Sequence, residues 1–196
     1  IFTLFFMKKL ENPKLPNYYS LKDFILGDNF PWFYNEHFVY KENAEHFIKS
    51  GEGFSDISFY THSFLNRPKN TGMGEKYPTV NSPHTGKVSD VLNSIFIANN
   101  IEVNCIYRIN ANLLHPSKTE KKTLIHVDHP FPHKNLLIYL TDAGGKTVCG
   151  RDVHDPKEDD IITFEGEHYN FLPENNRRIV IVATYIWMTD HINKVP

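Results

Sequence analysis

Two short segments contain residue types that bind metal ions, Ile125-His-Val-Asp128 and, about 40 residues later, Phe164-Glu-Gly-Glu-His168. Residues two apart in a β-strand point to the same face, so a strand would direct His126 and Asp128 into one space. Two imidazoles and one carboxylate form a facial triad, which leaves about three positions of an octahedral iron open. The alternative is that Asp128 is only the hydrogen-bond partner of a half-buried His126.

An arginine follows at a position that predicts an anionic ligand. Arg178 comes ten residues after His168 and begins the apolar run Ile179-Val-Ile-Val-Ala183. A buried cation is costly to leave unpaired, and the planar guanidinium matches a carboxylate. Successive strand residues face opposite ways, so only one of Arg177 and Arg178 can point into a barrel.

The second half of the chain is a succession of short runs rich in β-branched and aromatic residues, separated by turn signals. Strands at this spacing without intervening helices are typical of antiparallel sandwiches and barrels. We therefore predict a mainly β fold with packed helices, in which a double-stranded β-helix (jelly roll) is the core. The predicted strands are Ile101–Ala111, Thr123–Val127, Lys134–Tyr139, Thr147–Cys149, Asp160–Phe164 and Arg178–Trp187.

The first hundred residues mix short elements with long connections. Apolar residues at helical spacing predict a short helix that begins near Ser20 and a second helix over 89–99. Pro, Gly, Asn and Ser accumulate over 66–87, which predicts a long loop, either a lid or a tolerated insertion. The aromatic-rich strands predicted in this half are 30–34 and 57–60.

Composition restricts the class of protein. The chain has 196 residues, 40% of them hydrophobic, which indicates one globular domain. The 21 basic and 23 acidic residues nearly balance, so the chain has no net positive charge that would attract nucleic acid.

The apolar run Ile1–Met7 is far shorter than the ~20 residues that span a bilayer. Lys8 and Lys9 follow this run, whereas the charges of a signal peptide precede its apolar segment. Two cysteines, Cys105 and Cys149, favour a reducing, intracellular setting.

The motifs occur in a characteristic order: His126-Val-Asp128, Leu137-Ile-Tyr139-Leu-Thr-Asp142, Gly144-Gly-Lys-Thr147, Asp160-Ile-Ile-Thr-Phe164, His168 and Arg178. This order resembles the iron(II)- and 2-oxoglutarate-dependent oxygenases, and the prolyl 4-hydroxylase-like branch is most similar, including its small bacterial and marine-phage versions. The resemblance covers about 102–187. It implies a single oxygenase domain over 1–196, with helical and strand support and a lid over 1–100 and a catalytic jelly roll over 101–190.

Carried over residue by residue, the resemblance makes His126, Asp128 and His168 the catalytic iron ligands. Arg178 would bind the distal carboxylate of 2-oxoglutarate. Family members place this basic residue nine or ten positions after the distal histidine, so Arg177 stays open as the alternative.

Two further positions match the family's pattern. Tyr139 falls where the family often has a tyrosine whose hydroxyl reaches the same carboxylate, and a core aromatic is an equally good interpretation. Thr147 lies in the family's Gly-Gly-X-Thr turn, where we expect it to fix the sheet and not to touch a ligand.

The implied function is that of an Fe(II)- and 2-oxoglutarate-dependent dioxygenase. Such an enzyme uses Fe(II), 2-oxoglutarate and O2 to hydroxylate an unactivated C–H bond, with succinate and CO2 as coproducts. The expected substrate is a protein residue, with proline the first guess, or a small molecule. We expect neither a nucleic-acid nor a membrane partner, and a cytoplasmic location, in the host if the protein is viral.

Two alternatives belong to other classes. A cupin-like metal enzyme also uses histidines in a jelly roll, but it usually draws on more of them and lacks an arginine like Arg178 on the last apolar strand. A catalytically silent binding module would be expected to have lost at least one ligand. The neighbouring His129 and His133 are expected to lie at the rim, because Pro130 and Pro132 indicate that the strand has ended.

Overall fold

The computed structural model describes residues 7–38, 54–55, 57–68, 77–118 and 121–187. Most of the apolar run 1–7 and the central part of the predicted loop 66–87 lie outside these residues. Within them, no helix is long and apolar enough to cross a membrane. In chain order the described elements are β1 (Lys8–Leu10), α1 (Pro16–Leu26), β2 (Phe33–Asn35), β3 (Phe54–Ser55), β4 (Phe59–Asn66), β5 (Thr79–Val80), α2 (Thr85–Ala98), β6 (Val103–Leu114), β7 (Lys122–Thr123), β8 (Lys134–Tyr139), β9 (Thr147–Cys149), β10 (Asp152–His154), β11 (Ile161–Phe164), β12 (His168–Asn170) and β13 (Arg178–Trp187).

An eight-stranded antiparallel sheet, here called the main sheet, has the order β1-β11-β8-β13-β6-β4-β2, with β5 also paired to β4. A three-stranded sheet, β10-β9-β12, faces it across the interior, and β3 and β7 form a short parallel pair. Single bridges, Lys122–Phe171 and His126–His168, join the segment that begins with β7 to the segment that contains β12. The result agrees with the predicted mainly β, two-sheet architecture.

The strands of the main sheet alternate between its two faces. Ile179, Ile181 and Ala183 of β13 belong to the core that also contains the helices. Val180 and Val182 face the other way, into the space between the sheets. Because successive residues of a strand point to opposite faces, the continuous apolar run of β13 is buried on both faces of the main sheet.

The two helices cover the outer face of the main sheet. Each has an apolar stripe at helical spacing, so burial of that stripe against the sheet stabilises the helix. The buried stripe residues are Tyr18, Leu21 and Ile25 in α1 and Val88, Val91, Leu92 and Ile95 in α2.

Several predicted boundaries are wrong. The first helix begins at Pro16 and not near Ser20, because proline fixes a helical φ and its missing N–H is not needed in the first turn. The second helix begins at Thr85, inside the predicted loop. The strand predicted over Thr123–Val127 ends at Thr123, and beyond it only His126 pairs again.

Candidate active site

His126, Asp128 and His168 converge between the two sheets. One ligand atom from each residue lies within 4.8 Å of the other two. Asp128 Oδ2 is 3.8 Å from His168 Nε2, and the two imidazole rings are 4.4 Å apart between centroids. The side chains are nearly buried, since His126 is 9% and His168 6% exposed and the Asp128 side chain 8%.

The backbone fixes the two histidines against each other. The His126 N–H donates to the His168 carbonyl at 3.1 Å, and the His168 N–H donates back to the His126 carbonyl at 3.0 Å. This is a hydrogen-bonded antiparallel pair, in which the two side chains lie on the same face. Asp128 lies in a bend outside any strand, so its orientation does not come from the strand alternation that the sequence predicted.

Hydrogen bonds select one ring nitrogen of each histidine for a metal. His126 Nδ1 lies 2.8 Å from the Leu124 carbonyl, and His168 Nδ1 lies 3.1 Å from the Gly166 carbonyl. A carbonyl only accepts, so each Nδ1 carries the proton and the Nε2 lone pair is available. Burial lowers the pKa of His126, and burial together with the nearby His126 lowers the pKa of His168 to about 3. Both imidazoles are therefore neutral at pH 7, as metal ligation requires.

Two arginines hold Asp128. Arg108 Nη2 donates to Asp128 Oδ1 at 2.6 Å, and Arg67 Nη1 donates to the Asp128 carbonyl oxygen at 2.9 Å. Burial alone would raise the pKa of Asp128, but Arg108 and the adjacent histidines hold it well below its usual value. Asp128 is therefore an ionised carboxylate whose second oxygen, Oδ2, faces His168.

A cavity of about 150 Å³ begins at the triad and extends between the sheets. Apolar side chains such as Val180, Val182 and Leu137 form part of its wall, and asparagines supply polar groups. Arg178 lies on the same cavity as the triad. The other described side chains that line it are Asn35, Phe38, Phe59, Thr61, Arg67, Arg108, Asn110, Asn112, Val127 and Asn170.

Arg178 is 3% exposed and has no carboxylate partner among the described residues. Its Nη2 donates to Thr147 Oγ1 at 3.1 Å and to Asn170 Oδ1 at 3.0 Å, while its buried Nε has no partner. Burial lowers the pKa of Arg178, yet a guanidinium stays charged at neutral pH. Arg177, the alternative from the sequence, is exposed to solvent.

Tyr139 and Thr147 support this guanidinium. Tyr139 is 1% exposed, and its hydroxyl lies 2.7 Å from Thr147 Oγ1. Thr147 Oγ1 in turn donates to Asn170 Oδ1 at 2.6 Å. The Thr147 hydroxyl thus joins strands β9 and β12 to Arg178, so it fixes the sheet and the arginine together.

His129 and His133 are buried, at 4% and 5% exposure, and the prediction that they lie at the rim is wrong. His129 Nε2 lies 2.7 Å from Thr184 Oγ1, and His133 Nδ1 lies 2.7 Å from the Phe131 carbonyl. Among the described residues neither joins the group that could hold a metal ion. Sequence reasoning missed Arg108, although an arginine inside the strand predicted over 101–111 is the same kind of signal that identified Arg178.

No protein-family model matches the sequence, and no curated protein matches it. Among solved structures, a 2OG-Fe(II) oxygenase family oxidoreductase from Burkholderia pseudomallei aligns with a TM-score of 0.52 at 17% identity, over 80% of this chain and 73% of that one. A Pseudomonas putida prolyl-4-hydroxylase aligns with a TM-score of 0.39 at 11% identity, over 87% of this chain and 99% of that one. A Trichoplax adhaerens prolyl hydroxylase, in complex with a hypoxia inducible factor peptide fragment, aligns with a TM-score of 0.42 at 13% identity, over 85% and 89% of the two chains.

The similarity to the Burkholderia structure establishes the fold. The chain has the jelly-roll fold of a 2OG-Fe(II) oxygenase, and the predicted fold class is confirmed. The other two alignments have TM-scores below 0.5 and carry no weight. Fold alone does not fix activity, so the function has to be argued from the site.

Proposed function

We propose that this protein is an Fe(II)- and 2-oxoglutarate-dependent dioxygenase. One relationship supports this more than any other: a group of two histidines and one carboxylate shares a buried cavity with an arginine that lacks a carboxylate partner among the described residues. The first feature suits a ferrous ion with open coordination positions, and the second suits a dicarboxylate.

The donor set fits iron. Two neutral imidazole Nε2 atoms and one ionised carboxylate oxygen form the 2-His-1-carboxylate set of non-haem Fe(II) oxygenases. His126, Asp128 and His168 would hold the metal, and the carbonyls of Leu124 and Gly166 would orient the rings.

The arginine fits the cosubstrate. The buried, unpartnered Nε of Arg178 is a costly feature unless an acceptor reaches it. A carboxylate of 2-oxoglutarate would supply that acceptor and neutralise the guanidinium. Thr147 and Asn170 hold Nη2, which keeps the arginine directed along the cavity, and Tyr139 limits its movement from the other side.

Bound Fe(II) and 2-oxoglutarate would activate O2 to hydroxylate a C–H bond, with succinate and CO2 as coproducts. The protein's own residues bind, orient and shield the reactants. Val180, Val182 and Leu137 exclude water from the cavity wall, and Arg178 sets the orientation of the dicarboxylate.

The cupin-like alternative fits less well, because no fourth histidine joins the metal-binding group within the described part of the chain. A silent binding module fits less well because all three candidate ligand residues are present. As substrate we propose a protein residue, with proline the first to test, or a small molecule. We further propose that the protein acts as a single cytoplasmic domain and binds neither nucleic acid nor a membrane.

The test is anaerobic addition of Fe(II) and 2-oxoglutarate to metal-free protein. A weak visible charge-transfer band should appear, disappear in His126→Ala and weaken in Arg178→Ala, while Arg177→Ala should behave as the parent protein. If the parent protein shows no band, and forms no succinate after air is admitted, the proposal is wrong.

Substrate class needs a second experiment. Proline-containing peptides and free amino acids should be compared for their ability to stimulate succinate formation above the uncoupled rate. Stimulation by peptides alone would support a protein substrate, and stimulation by free amino acids alone would support a small molecule.

A further inference from the structure

The orientation of Asp128 needs an explanation that the sheet does not provide. His126 is anchored by its bridge to His168, but the chain from 127 to 133 belongs to no strand, and Asp128 lies in a bend. A carboxylate in such a segment has no ladder hydrogen bonds to set its direction. Its side-chain contacts must therefore do so.

Arg108 provides the strongest of these contacts. It lies on β6, where its backbone pairs with Thr184 of the long central strand β13. Its Nη2 is 2.6 Å from Asp128 Oδ1, and the side chains of the two residues are only 16% and 8% exposed. A buried, charge-assisted hydrogen bond of this length is strongly directional.

The two oxygens of Asp128 consequently have different environments. Oδ1 is occupied by Arg108, whereas Oδ2 faces His168 Nε2 at 3.8 Å. With Oδ1 engaged by Arg108, Oδ2 is the oxygen directed at the two histidines.

We propose that Arg108 is a positioning residue that holds Asp128 with Oδ2 directed at the metal site. This inference rests on the proposed function to the extent that a metal binds at the triad. Arg108 acts through Asp128, so its role differs from that of Arg178, which contacts Tyr139 and Thr147. Hydrogen-bond partners of metal ligands typically change metal affinity about 10- to 100-fold when they are removed.

The experiment measures Mn²⁺ binding to metal-free protein by the loss of the free-ion electron paramagnetic resonance signal. Arg108→Met should weaken binding about 10- to 100-fold. Arg108→Lys keeps a cation but not the planar fork, and it should recover part of the loss. Arg177→Met is the matched control, because it removes an exposed arginine, and it should bind like the parent protein.

Thermal unfolding in the presence of a chelator separates positioning from a general loss of structure. Weaker Mn²⁺ binding by Arg108→Lys or Arg108→Met, in protein that unfolds cooperatively without metal, supports the inference. Binding by both variants at the parent affinity overturns it. If Arg108→Met does not fold, Arg108→Lys alone decides between these results.

The same titration distinguishes failure of this inference from failure of the proposed function. Absence of Mn²⁺ binding by the parent protein overturns both. Parent binding that is unaffected by the Arg108 substitutions overturns only the role of Arg108.

Discussion

The guanidinium carbon of Arg178 lies 5.2 Å from the centroid of the Tyr139 ring. Both residues are almost fully buried, and at such sites a cation over an aromatic face contributes about 2 kcal/mol. The tyrosine hydroxyl is turned to Thr147, which also accepts from Arg178. Tyr139 is therefore a core aromatic, which is one of the two interpretations that the sequence left open, and it also supports the arginine. Its direct contact with a cosubstrate stays a prediction.

Replacement of Arg178 by Gln should raise the KM for 2-oxoglutarate about 10- to 100-fold, because a hydrogen bond to a charged group contributes about 1.5–3 kcal/mol. Arg177→Gln, which changes the exposed neighbour, should leave the KM unchanged. Steady-state succinate formation at varied 2-oxoglutarate measures both. An equal effect of the two substitutions would contradict the assignment of Arg178.

Thr147→Val should lower the free energy of unfolding by about 1–3 kcal/mol. The substitution keeps the side-chain shape but removes a hydroxyl that contacts Tyr139, Asn170 and Arg178, and it leaves their buried polar groups with fewer partners. Urea denaturation measures the change. Thr141→Val, on a more exposed threonine whose hydroxyl bonds to backbone atoms of Arg177 and Ile179, should cost less.

Gly145→Ala should both destabilise the protein and weaken 2-oxoglutarate binding. Gly145 has a φ of +77°, and a Cβ there would lie 2.8 Å from the Phe171 carbonyl oxygen and 3.0 Å from Arg178 Cδ. Gly144 has a φ of +69°, and a Cβ added there would have no other atom within 4 Å. Gly144→Ala should therefore lower the free energy of unfolding only by the cost of a left-handed backbone, about 1–2 kcal/mol. Urea denaturation and cosubstrate titration of both variants measure the difference. An increase in the KM for 2-oxoglutarate with Gly144→Ala alone would contradict the close contact with Arg178.

Apolar patterning explains which parts of the fold the sequence could predict. Lys134–Tyr139, Thr147–Cys149 and Arg178–Trp187 are strands with the predicted bounds, because dense apolar runs bounded by turns leave little choice of structure. β12 was not predicted, since His168–Asn170 has no apolar pattern and forms a strand through its pairing with β9.

Only those residues of the candidate site whose type suits a metal or an anion could be predicted from the sequence. The histidines, Asp128 and the two candidate arginines could be selected from the sequence. The contact of Arg108 with Asp128 depends on a bend and on the register of β6 against β13, and neither is encoded in local spacing. The sequence already favoured Arg178 over Arg177, and in the structure Arg178 is buried and Arg177 is exposed.

The metal-free protein should lose stability as the pH falls below about 6.5, the ordinary pKa of histidine. Burial, followed by the charge of Arg108, lowers the pKa of His129 to about 3, and His168 is lowered to about 3 as well. Between these values the unfolded chain binds protons that the folded chain does not, so protonation favours unfolding by about 1.4 kcal/mol per pH unit for each such histidine. Urea denaturation between pH 7 and pH 5 with a chelator present should show this decline. His129→Gln should flatten the slope, and an unchanged slope in this variant would contradict the assignment of His129 as a buried, neutral histidine.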